Sequence, residues 1–227
     1  MELRVDAVRD GIAAACSRAG RDPGAVTIVG VTKYVDVAAA RALVAAGVRD
    51  LGENQYQQLR DRAPELTDLG VRWHAIGPLQ RNKVRYVAAW ATAFHALERL
   101  EVAEALSARR VADGGDPIDC YVEVNVAGES TKSGVDPSAV GEIVDGCRSL
   151  PGLRVVGLMT MPPLAASPED SRRWFRMLAG LAAEHGLAGL SMGTSADYEV
   201  AVEEGATAVR IGTALFSNPN VRGSSTP

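Results

Sequence analysis

The feature that most constrains this chain is a repeated alternation. Eight short, β-rich apolar runs are separated by amphipathic stretches along residues 1–216. The runs are Val26–Thr32, Arg49–Gly52, Val71–Ile76, Thr92–Ala96, Ile118–Val126, Leu153–Thr160, Leu187–Met192 and Thr207–Ile211. The first, VTIVGVT, shows no polar alternation, as expected of a strand covered on both faces. The spacing predicts helices over Val37–Ala46, Glu53 to about Ala63, from about Gln80, over Arg99–Arg110, Pro137–Leu150, Pro168–His185 and Ala196–Glu204, with an extra N-terminal helix over Glu2–Ala19.

Strands linked by helical crossovers pair in parallel, and eight such units predict a single α/β domain over residues 1–216, a (β/α)8 TIM barrel. A doubly wound sheet shares the alternation, because the pattern does not reveal closure. However, no G-x-G-x-x-G follows the first strand and no P-loop is present, so two common nucleotide-binding folds lose support. Residues 217–227 (SNPNVRGSSTP) are polar and rich in Pro, Gly and Ser, and are expected to fray.

Composition narrows the function classes. A formal net charge of -4 and a pI of about 5.5 give no electrostatic footprint for nucleic acid or anionic lipid. No apolar run approaches the roughly 20 residues that cross a bilayer. Charges scattered through the N-terminal segment argue against a signal peptide. Cys16, Cys120 and Cys147 are odd in number and lack C-x-x-C spacing, and His74, His95 and His185 share no ligand spacing. The expectation is a metal-free, cytoplasmic protein, and no missing domain forces it beyond a monomer.

Lysine is scarce. Of 24 cationic residues only Lys33, Lys83 and Lys132 are lysine, which leaves 21 arginines. A lysine retained in such a chain draws notice, because lysine can form an imine and arginine cannot. Lys33 directly follows the first apolar run, at the strand end that forms the active face of a barrel. A lysine snorkelling to solvent is the competing explanation.

A second cluster, Ser191–Asp197 (SMGTSAD), follows the seventh run, and Arg210–Thr213 (RIGT) follows the eighth. Barrels frequently bind phosphate with these two loops. Thr194 and Asp197 also have capping-box spacing, a purely local explanation. Glu53, Asn54, His74, Asn125 and Met159 lie at or near other strand ends, each with a bland alternative: a helix start, a hydrogen-bonded core histidine, a space-filling methionine. If the barrel closes, the eighth strand lies beside the first. A ligand with phosphate at one end and an aldehyde at the other could then reach both the phosphate loops and Lys33. Pyridoxal 5′-phosphate (PLP) has that shape.

These residues resemble the pyridoxal phosphate homeostasis protein family. The match runs in order: VTK ending at Lys33, LGEN at Leu51–Asn54, WHAIGPLQRNK at Trp73–Lys83, TKSG at Thr131–Gly134, GLMTM at Gly157–Met161, SMGTSAD at Ser191–Asp197 and RIGTALF at Arg210–Phe216. The resemblance implies a barrel like the N-terminal domain of alanine racemases, PLP fold type III. It implies an imine on Lys33, a phosphate held by Ser195, Gly212 and Thr213, Arg210 facing the pyridine nitrogen, and Asn54 and Met159 near the ring. After Phe216 this chain continues Ser217–Asn218, where the family often has Gly and a basic residue.

An arginine beside the pyridine nitrogen disfavours its protonation and weakens the ring as an electron sink. The expected function is therefore a carrier or buffer in intracellular PLP homeostasis, exchanging PLP with free amino acids and client apo-enzymes, with little or no catalysis. A PLP-dependent amino-acid racemase is the alternative, and it needs a second proton-transfer group facing Lys33. A PLP-free Schiff-base aldolase would usually carry its lysine on a later strand.

Overall fold

The computed structural model describes residues 1–129 and 132–216. Thr131 of the TKSG motif and the expected tail at 217–227 therefore lie outside the described residues. The strands are β1 (Thr27–Val31), β2 (Asp50–Glu53), β3 (Arg72–Ala75), β4 (Ala91–Leu97), β5 (Ile118–Glu123), β6 (Leu153–Met159), β7 (Gly189–Thr194) and β8 (Ala208–Ile211). The helices are α1 (Glu2–Ala19), α2 (Val37–Ala45), α3 (Tyr56–Arg62), α4 (Val84–Trp90), α5 (Leu100–Ala112), α6 (Val140–Cys147), α7 (Arg172–Glu184), α8 (Tyr198–Glu203) and the short α9 (Thr213–Phe216).

All eight strands pair in parallel in sequence order, and β8 closes on β1 with Thr27 opposite Ala208 and Gly30 opposite Ile211. Closure decides between the two folds the alternation allowed: this is a (β/α)8 barrel. It leaves no strand edge unpaired and brings Lys33 and Arg210, far apart in sequence, to neighbouring strand ends.

Local chemistry explains the boundaries. The Asp36 carboxylate accepts from the Ala39 N–H at 2.7 Å and starts α2. Gly20, with φ of 64°, closes α1 in the left-handed conformation. Pro168 sits in the first turn before α7, where Ser167 and Asp170 form a capping box. The extra helix α1 buries Val5, Val8, Ile12, Ala15 and Cys16, one stripe at helical spacing, and packs on α8. Arg18 ties the two helices by ion pairs to Glu199 and Glu203.

Glu53 differs from its expected place. It ends β2, fully buried, and the following helix begins only at Tyr56. Its carboxylate accepts from the N–H groups of Asn54 and Gln55 at 2.9 and 3.0 Å, so the side chain holds a turn between strand and helix.

Candidate functional site

A cavity of about 700 Å³ opens at the C-terminal ends of β1, β2, β7 and β8. Lys33, Asn54, Ser195, Arg210, Gly212 and Thr213 all line it. Met159 does not. It ends β6 within the core at 2 % exposure, and Met161, just past the strand, lines the cavity instead. The wall lies level with the chain that leaves β6, above the last strand residue.

Lys33 sits in a turn beyond β1. The Val35 N–H donates to the Thr32 carbonyl at 3.2 Å, and Thr32 is fixed in turn by its N–H on the Gly52 carbonyl at 2.9 Å. Arg62, from the end of α3, clamps this turn. Its guanidinium donates to the carbonyls of Thr32 at 2.9 Å and Val35 at 2.7 Å. The same group pairs with Glu53 at 2.7 Å. Burial pushes the Glu53 carboxyl up from its ordinary value, against the pull of the Gln55 N–H and Arg62. The Lys33 amine lies 4.8 Å from the centre of the exposed Tyr34 ring and joins no ion pair among the described residues. Sequence reasoning missed Arg62, one arginine among many on a helix.

Asn54 reaches the cavity because Gly77 lets it. A Cβ at Gly77 would lie 2.8 Å from the Asn54 carbonyl oxygen, so the glycine of WHAIG serves a close backbone approach. The Tyr56 hydroxyl donates to the Gly77 carbonyl and secures the contact. Asn54 Oδ1 is buried with no hydrogen-bond partner. Asn54 lines the cavity, and a buried acceptor without a partner calls for a donor from a ligand or water.

The β7 and β8 loops meet at Ser195. Its Oγ accepts from the backbone N–H groups of Gly212 and Ala214, each at 3.2 Å. Two amides converging beside a hydroxyl make a donor-rich position suited to a phosphate oxygen. Gly193, with φ of 90°, turns the chain here; a Cβ would meet Ala201 at 2.6 Å. The Thr194–Asp197 pair forms, but not as a helix cap. Asp197 Oδ1 accepts from the Thr194 N–H at 2.8 Å and hydroxyl at 3.0 Å, and α8 starts only after it.

Arg210 is buried in β8 beneath the cavity. It donates to the Ser191 carbonyl at 2.8 Å and hydroxyl, to the Thr160 carbonyl at 2.9 Å, and to the Met161 sulfur. Burial pushes its pKa down to about 10, resisted by the Glu123 and Asp197 carboxylates. It remains a cation at neutral pH.

Beside this cavity lies another of about 590 Å³, which shares Met161, Thr194 and Ala196 and is lined also by Glu123 and Lys132. Burial, then the charge of Glu98, push the Glu123 carboxyl up to about 7, against the pull of Arg210. Sequence reasoning passed over Glu123, an acid in an alternating strand. Lys132 pairs with Glu129 at 3.4 Å, and the Lys83 amine lies 5.8 Å from the Tyr86 ring centre; neither lines the Lys33 cavity. Asn125 closes its own loop on the Glu129 backbone. Among the described residues no cluster of His, Cys, Asp or Glu is arranged to hold a metal.

Residues 3–219 match the family model described as alanine racemase, N-terminal domain. The chain is 41% identical over 219 residues to the pyridoxal phosphate homeostasis protein of Aquifex aeolicus, covering 94% of this chain and 96% of that one. It is 43% identical over 204 residues to the protein of that name from Pseudomonas aeruginosa, covering 89% and 88%. The structure of PipY from Synechococcus elongatus with PLP bound superposes with a TM-score of 0.80 at 32% identity, over 91% of this chain and all of that one. This near full-length likeness, on a barrel whose motifs meet in one cavity, places the chain in the pyridoxal phosphate homeostasis protein family.

Proposed function

We propose that this protein binds PLP reversibly as an imine on Lys33 and serves PLP homeostasis as a carrier or buffer. The convergence of Lys33, the Ser195 cradle and Arg210 on one cavity carries the reading. The residues fit the cofactor. Ser195 Oγ with the Gly212 and Ala214 amides suits a phosphate, and Thr213 adds a hydroxyl nearby. The unpartnered Asn54 Oδ1 suits a ring substituent that can donate. Arg210 suits the pyridine nitrogen, where a group that is cationic at neutral pH donates a hydrogen bond and leaves the nitrogen without a proton. Met159 would support the ring only indirectly, with Met161 in contact.

Lys33 would hold the cofactor through an imine between its side-chain nitrogen and the aldehyde carbon, with one water released. When bound, PLP supplies an electrophilic carbon that amines can exchange upon. The chain's own residues hold and orient it: Arg62 fixes the Lys33 turn, and Ser195 anchors the far end. Free amino acids and client apo-enzymes are the proposed exchange partners, and the proposed unit is a monomer in the cytoplasm. The three cysteines, all free and buried, accord with a reducing compartment. Among the described residues no helix is long and apolar enough to cross a membrane.

The test is direct. Purified or PLP-reconstituted protein absorbs as an imine, and borohydride reduction places the label on Lys33. Lys33→Ala abolishes both. A wild-type protein that takes up no PLP overturns the proposal.

One observation favours a second reading, slow racemase-like proton exchange. Glu123 ends β5, the strand opposite β1 in an eight-strand barrel, and its raised pKa lets it exchange protons near neutrality. Incubation of the loaded protein with alanine isomers in deuterated water decides this. Exchange at Cα that Glu123→Gln removes would support it; no exchange leaves the carrier.

A further inference from the structure

We infer that His95, acting through the Ser191 hydroxyl, is a positioning residue that holds Arg210 against the cofactor. The inference rests on the proposed PLP reading for its consequence but not for its geometry.

A continuous hydrogen-bonded chain crosses the barrel interior. Asp50 Oδ1 lies 3.0 Å from His74 Nε2. His74 Nδ1 lies 2.8 Å from His95 Nε2. His95 Nδ1 lies 2.7 Å from the Ser191 hydroxyl, which accepts from Arg210. These five residues come from β2, β3, β4, β7 and β8, so only the closed barrel assembles them. His95 and Ser191 are fully buried, and Tyr121 from β5 stacks on the His95 ring with centroids 4.4 Å apart.

The ends of this chain dictate its direction. A guanidinium only donates, and a carboxylate only accepts. Ser191 therefore accepts from Arg210, and its own proton, buried with no other partner among the described residues, goes to His95 Nδ1. His95 then carries its proton on Nε2 and donates to His74 Nδ1, and His74 donates from Nε2 to Asp50. The His95 ring is then the neutral Nε2–H tautomer. Burial, then His74 and Arg210, depress the His95 pKa well below the ordinary value, which keeps it neutral. Burial would raise the Asp50 carboxyl, but His74 and Arg72 outweigh it and hold it lowered, as an acceptor.

A chain with one allowed polarity does not pass protons along; it orients. A lone serine hydroxyl would rotate among several partners. Committed to His95, it keeps its lone pair on Arg210. With the Ser191 and Thr160 carbonyls and the Met161 sulfur as its other acceptors, the guanidinium is locked beneath the cavity. Its orientation then governs the hydrogen bond offered to the pyridine nitrogen.

Two measurements test this. Nitrogen NMR of the ligand-free protein reads the tautomers directly, and only His74, His95 and His185 need assignment. A neutral Nε2–H form for His95 at pH 7 is expected. A cationic or Nδ1–H His95 would overturn the chain whatever the cofactor does. The second measurement uses the PLP-loaded protein. His95→Phe, or Ser191→Ala if the former fails to fold, should weaken PLP binding about tenfold and move the imine absorbance band. His95→Gln should restore both, because its amide oxygen and nitrogen reproduce the acceptor and donor. A His95→Phe or Ser191→Ala protein with unchanged band and affinity, altered only in melting temperature, would reduce the chain to packing. A wild-type protein that forms no reducible adduct on Lys33 would instead sink the PLP reading, and the NMR result would still decide the chain.

Discussion

The Arg62 guanidinium lies 2.7 Å from a Glu53 carboxylate that is fully buried, and that pair holds the turn on which Lys33 sits. The chain thus spends a buried charge pair on the geometry of one loop. Arg62 satisfies the two carbonyls, Thr32 and Val35, that bracket the lysine and its neighbour. Arg62→Ala leaves Glu53 buried without its cation, which costs about 3–5 kcal/mol for a broken buried pair. Urea unfolding should show that loss. PLP binding should weaken as well, because the Thr32–Val35 turn loses two of its bonds.

The pH dependence of stability follows from Glu123. Its folded pKa of about 7 stands above the ordinary value of 4.5. Below pH 4.5 the carboxyl is protonated whether folded or not, and it has no linkage effect. As pH rises towards 7 the unfolded chain loses this proton first, so the folded state binds more protons and stability falls. The loss reaches on the order of 3 kcal/mol by pH 8. Glu123→Gln should flatten that decline and leave stability at pH 4 unchanged, as read by denaturant titration at several pH values.

Ser195 separates anchoring from chemistry. Ser195→Ala removes the oxygen shared by the Gly212 and Ala214 amides at the proposed phosphate position. PLP affinity should fall about tenfold, the scale of one hydrogen bond to a charged group. Affinity for pyridoxal, which lacks the phosphate, should be the same in both proteins. Equilibrium titration of the imine band with each aldehyde checks the contrast.

Gly77 supports the site from below. Gly77→Ala forces a methyl to 2.8 Å from the Asn54 carbonyl, and backbone cannot swing aside as a flexible side chain can. A destabilisation of about 1–3 kcal/mol is expected, with Asn54 displaced from the cavity. Thermal melting reads the first effect and a shifted imine band the second.

Much of this protein is legible along the chain. The eightfold alternation located every strand to within two residues at each end, apart from the C-terminal end of β5, which stops three residues early at Glu123, because burial on both faces leaves a local apolar run. The motifs at the C-terminal ends of β1, β7 and β8 marked Lys33, Ser195, Arg210, Gly212 and Thr213, since strand ends and helix starts have local signatures. Other features had none. The level at which the wall crosses β6 put Met161, not Met159, on the cavity. Glu53 looked like a helix start and proved to be a strand end held by Arg62.

By itself, then, the sequence determined the elements, their order, and the few residue types able to bind an aldehyde and a phosphate. Tertiary structure alone decided closure, the Arg62 clamp, the raised carboxyl of Glu123 and the chain from Asp50 to Arg210. The division is physical. Periodicity and turn chemistry act over a few residues, whereas His95 meets Ser191 across 96 positions of sequence. Such a contact, and the pKa it imposes, exists only once packing has excluded water from both partners.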